Sequence, residues 1–308
     1  MARRIDVHHH LVAPDYVPQL REMGVLTPQL AALMNEKSAL EDMDRAGVTL
    51  AINSATMPEQ FKGEARRAYA RANNEYMARL VADYPGRFGM FACLPLPDVE
   101  GALKEIDYAF DVLKADGAHL ITSYEDHWLG DKIFAPVFDE LNRRKALIYT
   151  HPHGPQCCHN ILKEIVIRDA SIEYGTDTTR ALANLVFTGT VNRCPDIRLI
   201  FSHGGGTMPF LVERFIRMEK MPRYAPLLPQ GFVAQARQFY YDTAQILHGA
   251  PLVALKHLIP LPQILYGTDY PWRGSDECVR GLIASEVFTA EQLRAIDANA
   301  APLLPRFA

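Results

Sequence analysis

The sequence predicts an α/β fold, a (β/α)8 TIM barrel with loop elaborations at its carboxyl-terminal face. Three observations carry this. Eight short segments rich in β-branched or aromatic residues recur along the chain, and nearly all of them precede a stretch with helical spacing. Several are too apolar for an open antiparallel sheet. The count of eight, with right-handed crossovers between strands, favours closure over the competing doubly wound open sheet.

The expected strands are residues 4–11 (RIDVHHHL), 48–56 (VTLAINSAT), 88–96 (FGMFACLPL), 117–124 (GAHLITSY), 146–152 (ALIYTHP), 197–205 (IRLIFSHGG), 239–244 (FYYDTA) and 263–271 (QILYGTDYP). The HHH triplet is embedded in the first and reads as strand rather than tag remnant. After the second, Ala65, Ala68, Tyr69, Ala72, Tyr76 and Leu80 keep the spacing of a helix with one apolar face, as do Val99, Ala102, Leu103, Ile106, Phe110 and Leu113 after the third. Ser38 with Glu41, and Thr289 with Gln292, fit the capping box in which side chains satisfy free amides at a helix start. Residues 12–37 and 153–176 read as loops elaborated after strands one and five, on the face where barrel enzymes keep their sites. No repeat or linker divides the chain, so a single domain over residues 1–308 is expected.

The composition, 48% hydrophobic and 22% charged over 308 residues, excludes intrinsic disorder. Thirty-six acids against 32 bases give a net charge of −4, with no Lys/Arg block, so the expected partner is a small molecule rather than nucleic acid or membrane. Five cysteines without a CxxC pair argue against a disulfide framework and a cysteine zinc site, and vicinal Cys157 and Cys158 read as a loop coincidence. The first residues break into Asp and His before any apolar core, and no apolar run of about 18 residues follows, which predicts a cytoplasmic protein.

Five polar residues sit at carboxyl ends of expected strands: His8 and His10 on the first, His151 on the fifth, His203 on the sixth and Asp269 on the eighth. Side chains alternate along a strand, so His8 and His10 point to one side and His9 to the other. Closure brings Asp269 beside that pair, and His151 reaches across. The resulting nitrogen/oxygen set with open coordination suits Zn²⁺, and less diagnostically Mn²⁺ or Fe²⁺. His153, two residues on, could substitute for His151. His203 opens SHGGG, where glycines allow close backbone approach; it could ligate, but general acid/base work suits an imidazole titrating near neutrality. Asp269 could both bind metal and relay a proton. Trp272 could provide an aromatic wall, and packing is its plainer use. His119 and the remaining histidines read as structural or solvated, and YEDH at 124–127 as a solvated loop.

The segments DVHHH (6–10), THP (150–152), SHGGGTMPFLVER (202–214) and GTDYP (267–271) together resemble the amidohydrolase superfamily, in its decarboxylase branch of aminocarboxymuconate semialdehyde and hydroxybenzoate decarboxylases. EDMDRAGV (41–48), DYPGRFGMFACLPLPD (83–98) and LGDKIFAPVFDEL (129–141) look most like the 6-methylsalicylate decarboxylase type. The resemblance implies that His8, His10, His151 and Asp269 hold one divalent metal, commonly zinc, and that His203 is the catalytic histidine. It also implies that Arg214 matches an arginine that reaches a substrate carboxylate in the adjacent subunit, so that a homodimer or higher homo-oligomer completes the pocket. The alternative for Arg214 is a surface helix residue paired with Glu213 or Glu219. PDYVPQLREMGVLTPQL lacks the second substrate-binding arginine of the semialdehyde enzyme, which argues against that substrate. GAHLITSY has no lysine to bridge two metals, so one metal is expected. His8 stands where several hydroxybenzoate decarboxylases have Glu, which leans toward zinc, with manganese possible.

The expected activity is non-oxidative decarboxylation of a hydroxylated aromatic acid of the salicylate type. A proton delivered to the carboxyl-bearing carbon, by Asp269 with His203 assisting, gives a dienone from which CO₂ leaves. The rival readings are metal-dependent hydrolysis of a lactone or amide, a hydratase on the same barrel, and a non-enzymatic metal-binding assembly.

Overall fold

The computed structural model describes residues 3–154 and 167–307. Cys157, Cys158 and His159 lie outside the described residues. Eight strands form one sheet in sequence order: β1 (Arg4–His9), β2 (Val48–Asn53), β3 (Phe88–Cys93), β4 (Gly117–Ile121), β5 (Leu147–His151), β6 (Arg198–Phe201), β7 (Tyr240–Asp242) and β8 (Ile264–Leu265). All seven neighbouring pairs are parallel. The eighth seam runs between β1 and the chain after β8. Val7 N donates to Tyr266 O at 3.1 Å, Asp269 N to His8 O at 2.8 Å and His10 N to Tyr270 O at 2.8 Å. This is the (β/α)8 barrel that the strand count predicts.

The strands are shorter than the expected segments, chiefly at their carboxyl ends, because those residues leave the ladder to build loops. Within β1 the pairing to β2 shifts register between Asp6 and His9. Ile5 and Val7 pack with Leu50, Ile52, Phe91, Tyr149 and Ile200 inside the barrel. A bulge of this kind re-aims the side chains that follow it, and His8 and His10 continue into the space above that packed layer.

Helices cover the outside, and two differ from expectation. The first, α1 (Glu36–Ala46), is capped by Asn35, whose side chain accepts the Ser38 amide at 2.9 Å, so Ser38 and Glu41 lie inside the helix and form no capping box. Asn35 lies upstream in extended backbone and reaches the free amide first. In α2 (Gly63–Asp83), Ala65 and Ala68 are exposed while Asn73 and Asn74 are buried. The rotation is explained by hydrogen bonding. Asn74 accepts from Cys93 N at 2.8 Å and donates to Cys93 O at 2.9 Å, locking the helix to β3, and Asn73 accepts the Ala13 amide at 2.8 Å. The helix after β8's loops, α3 (Ala290–Ala298), carries the expected Thr289/Gln292 capping box.

Residues 12–37 hold two short helices, Val17–Glu22 and Pro28–Leu33. YEDH belongs to a small antiparallel pair, Ser123–Tyr124 with His127–Trp128. At the opposite end of the barrel Leu303 and Leu304 join the interior cluster. No helix among the described residues is long and apolar enough to cross a membrane.

Candidate metal centre and active site

His8, His10, His151 and Asp269 are all buried, and one ligand-type atom from each lies within 4.8 Å of the others. Asp269 Oδ1 stands 3.2 Å from His8 Nε2, 3.4 Å from His10 Nε2 and 4.0 Å from His151 Nε2. The far side of each β1 ring is anchored. His8 Nδ1 meets Asp242 Oδ2 at 2.9 Å and His10 Nδ1 meets the Ser54 carbonyl at 2.8 Å. Both partners are acceptors, so each Nδ1 carries its hydrogen and each Nε2 is the nitrogen aimed inward, the atom a cation would take in exchange for any proton there.

The residues therefore fit a divalent cation. The Nε2 atoms of His8, His10 and His151 are buried without a hydrogen-bond partner, and a lone carboxylate oxygen faces them. Three imidazole nitrogens and one carboxylate oxygen at a buried point are a donor set suited to a single metal. His153 is turned away, its Nε2 3.5 Å from Glu59 Oε1. His9 also faces elsewhere, bonded to Asn53 at 2.7 Å and stacked on Tyr270.

His203 stands outside the four, its Nε2 3.5 Å from Asp269 Oδ2. Its amide donates to Asp242 Oδ1 at 2.9 Å, so one buried carboxylate fixes both His8 and the His203 backbone. The glycines after it permit close approach: a Cβ on Gly206 would collide with the Gly175 carbonyl. Three non-glycine residues of the site, His203 (φ 53°), Gln245 (φ 60°) and Asp269 (φ 70°), have left-handed backbone, the kind of strain that gathers at functional positions.

Charge is polarised across the centre. Burial opposes a charge on His8, but Asp242 and Asp269 raise it to about 10. Burial likewise opposes the Asp269 carboxylate, yet the charge of His8 and the close imidazole nitrogens of His10 and His203 hold it well below the usual carboxylate range. His151 is pushed well down by burial and by its neighbouring histidines. Beneath the centre, burial pushes Asp6 up to about 7 although it accepts the Thr268 hydroxyl at 2.6 Å.

A cavity of about 920 Å³ opens over these groups, lined among others by His119, His151, His203, Gln245, Asp269 and Trp272. It falls in the range of small-molecule sites. Trp272 stands edge-on to His10 at 5.4 Å. His119, expected to be structural or solvated, is buried in the wall of this cavity and pushed down to about 3 by burial. Arg214 is exposed on a helix, Met208–Met218, and does not line the cavity of its own chain. Glu219 accepts the Phe232 amide at 2.5 Å. Sequence reasoning missed Asp242, Gln245 and the place of His119. Asp242 ends the seventh strand, so the rule that found the other five would have found it too.

The family profile described as Amidohydrolase matches residues 5–304. Decarboxylase yanB of Aspergillus niger is 35% identical over 329 aligned residues, covering 99% of this chain and 88% of the relative. The 6-methylsalicylic acid decarboxylase of Penicillium expansum is 32% identical, covering 98% of this chain and 96% of the relative. Among solved structures, a 2,6-dihydroxybenzoate decarboxylase complexed with 2,6-dihydroxybenzoate superposes with TM-score 0.87 at 21% identity, over 99% of this chain and 100% of that one. A dihydroxybenzoic acid decarboxylase from Polaromonas with bound manganese gives TM-score 0.84 at 20% identity, over 99% and 97%.

Proposed function

The chain belongs to the amidohydrolase family, and from that premise we propose that it is a metal-dependent carboxy-lyase removing CO₂ from a hydroxylated aromatic acid of the salicylate type. The observation that carries the reading is the division of Asp269: one oxygen faces three imidazole nitrogens, the other faces His203 and the cavity. Relatives named as decarboxylases over nearly the whole chain favour this over hydrolysis or hydration.

His8, His10, His151 and Asp269 would hold one divalent ion, zinc by the preference of an N₃O set. When bound, the ion supplies positive charge that orients the substrate's carboxylate and ortho oxygen and lowers the cost of electron density moving onto the ring. The protein's own groups handle the proton. Asp269 rests as a carboxylate, so it must take a proton before it can give one, and His203 is the neighbouring group to supply it. Oδ2 then delivers that proton to the ring carbon bearing the carboxylate. The C–C bond breaks with its electron pair returning to the ring, CO₂ leaves, and the phenol remains; His203 recovers a proton from solvent. A positioned acid of this kind contributes about a hundred- to ten-thousandfold. Trp272 walls the ring side of the cavity. Arg214, exposed on its own chain, would reach a substrate carboxylate only across a homodimer interface.

The test is incubation of zinc- or manganese-loaded protein with a panel of hydroxybenzoates in deuterated water, following CO₂ and ring deuteration by mass spectrometry. Deuterium should enter where the carboxylate left, and His203→Ala and Asp269→Asn should each suppress it while remaining folded. Ring-opened or hydrated products without CO₂ would transfer the assignment to a hydrolase or hydratase.

A further inference from the structure

Holding the two oxygens of Asp269 to different tasks requires that the carboxylate not turn. Rotation about Cβ–Cγ is soft for an aspartate, and it would exchange the oxygens or draw both toward the imidazoles. Oδ1 has the three imidazoles around it. On the other side, Oδ2 accepts a hydrogen bond from Gln245 Nε2 at 2.9 Å, shorter than its 3.5 Å separation from His203 Nε2. An imidazole nitrogen can serve as donor or acceptor, whereas the amide nitrogen of glutamine only donates.

Gln245 does not hold this place for packing. It is exposed at the cavity wall, three residues after Asp242, with left-handed backbone (φ 60°) that glycine would adopt without strain. A strained, cavity-facing residue whose side-chain amide bonds Asp269 Oδ2, the oxygen that faces His203, is placed for that bond.

We infer that Gln245 is a positioning residue: its amide fixes Asp269 Oδ2 toward His203 and the substrate, leaving Oδ1 to the imidazoles. The kinetic part of this rests on the decarboxylase reading above; the contact itself does not.

Three variants separate the roles. Gln245→Gly keeps the turn and removes the amide, Gln245→Ala removes it without easing the turn, and Gln245→Glu keeps the size but sets a carboxylate against Oδ2. With loaded protein all three should lower kcat by about ten- to a hundredfold, the scale of a misplaced reacting group, while KM and metal content stay within about threefold. The solvent deuterium isotope effect on kcat should grow, because proton delivery becomes slower. Gln245→Gly should melt no lower than wild type. Wild-type kcat in Gln245→Gly would mean that the residue serves only the turn, and a loss confined to KM would make it a substrate contact; either result overturns the inference. A second readout needs no turnover. In metal-free ¹⁵N-labelled protein the Gln245 side-chain amide should resonate apart from free glutamines and move toward them in Asp269→Ala. An amide already at the free position overturns the inference. A shifted amide in a protein that decarboxylates no acid would sink the functional reading alone.

Discussion

Replacing Asp242 with asparagine tests how the centre is held. The carboxylate is fully buried and accepts four hydrogen bonds: His8 Nδ1 (2.9 Å) and Tyr149 OH (3.2 Å) on Oδ2, and the amides of His203 (2.9 Å) and Ala244 (3.0 Å) on Oδ1. Asparagine keeps the shape but offers one acceptor oxygen, so its NH₂ must face a pair of donors whichever way it turns. Turned to His8, it forces the ring into the other tautomer, with the hydrogen on Nε2 where a cation would sit. Loss of such an outer partner weakens metal binding about ten- to a hundredfold, or about 1.4–2.7 kcal/mol. Turned to the amides, it strands two buried donors at about 1–3 kcal/mol each, and the damage appears as lost stability. Zinc titration against a chromophoric chelator measures the first outcome, and urea denaturation of the metal-free protein the second. Zinc affinity within about threefold of wild type together with stability within about 0.5 kcal/mol would refute the reasoning.

Acid should destabilise the metal-free protein. His9 and His119 are each pushed down to about 3 by burial, whereas unfolded histidine titrates near 6.5. The unfolded chain therefore binds more protons as pH falls from about 6.5 toward 3, and each group removes up to about 1.4 kcal/mol per pH unit. Asp6, raised to about 7, acts with the opposite sign between about 3.8 and 7 and offsets roughly one of them. Urea denaturation at pH 7 and pH 5 should show the net loss, and greater stability at pH 5 would contradict it. Above pH 6.5 the sign turns for His8: raised to about 10, it stabilises the metal-free fold at lower pH and loses that contribution as pH climbs through 10. Chelation should lower the melting temperature of loaded protein, since an ion at a hundredfold its Kd contributes about 2.7 kcal/mol; an unchanged melt would deny a bound cation. Thr289→Ala breaks the α3 capping box and should cost about 1 kcal/mol in thermal denaturation.

The barrel and the four clustered side chains were legible because each leaves a local trace. A strand shows in its β-branched run, and HxH shows in the alternation of β1. What was not legible works through hydrogen bonds to distant backbone. Asn73 and Asn74 fall outside the expected apolar face of their helix, yet they are buried because Ala13 and Cys93 present amides that need acceptors. The register shift in β1 has no composition signature, since it depends on pairing with β2. Asp242, at the end of the seventh strand, was within reach of the strand-end rule; only its bond to a histidine more than 200 positions away leaves no trace in the sequence. The histidine content of β4 was visible, but whether His119 faced solvent or the cavity depended on the loops around it.

The interior layer beneath the centre, from Ile5 and Val7 through Phe91 and Tyr149 to Leu303 and Leu304, is solid packing with side chains at most 4% exposed. The reaction chamber is thus a cul-de-sac. For the reaction proposed above, CO₂ and the phenol would leave on the face by which the acid enters, because the packed floor offers no way through. Arrival and departure therefore share one face of the barrel, so the residues that line that face bear on both.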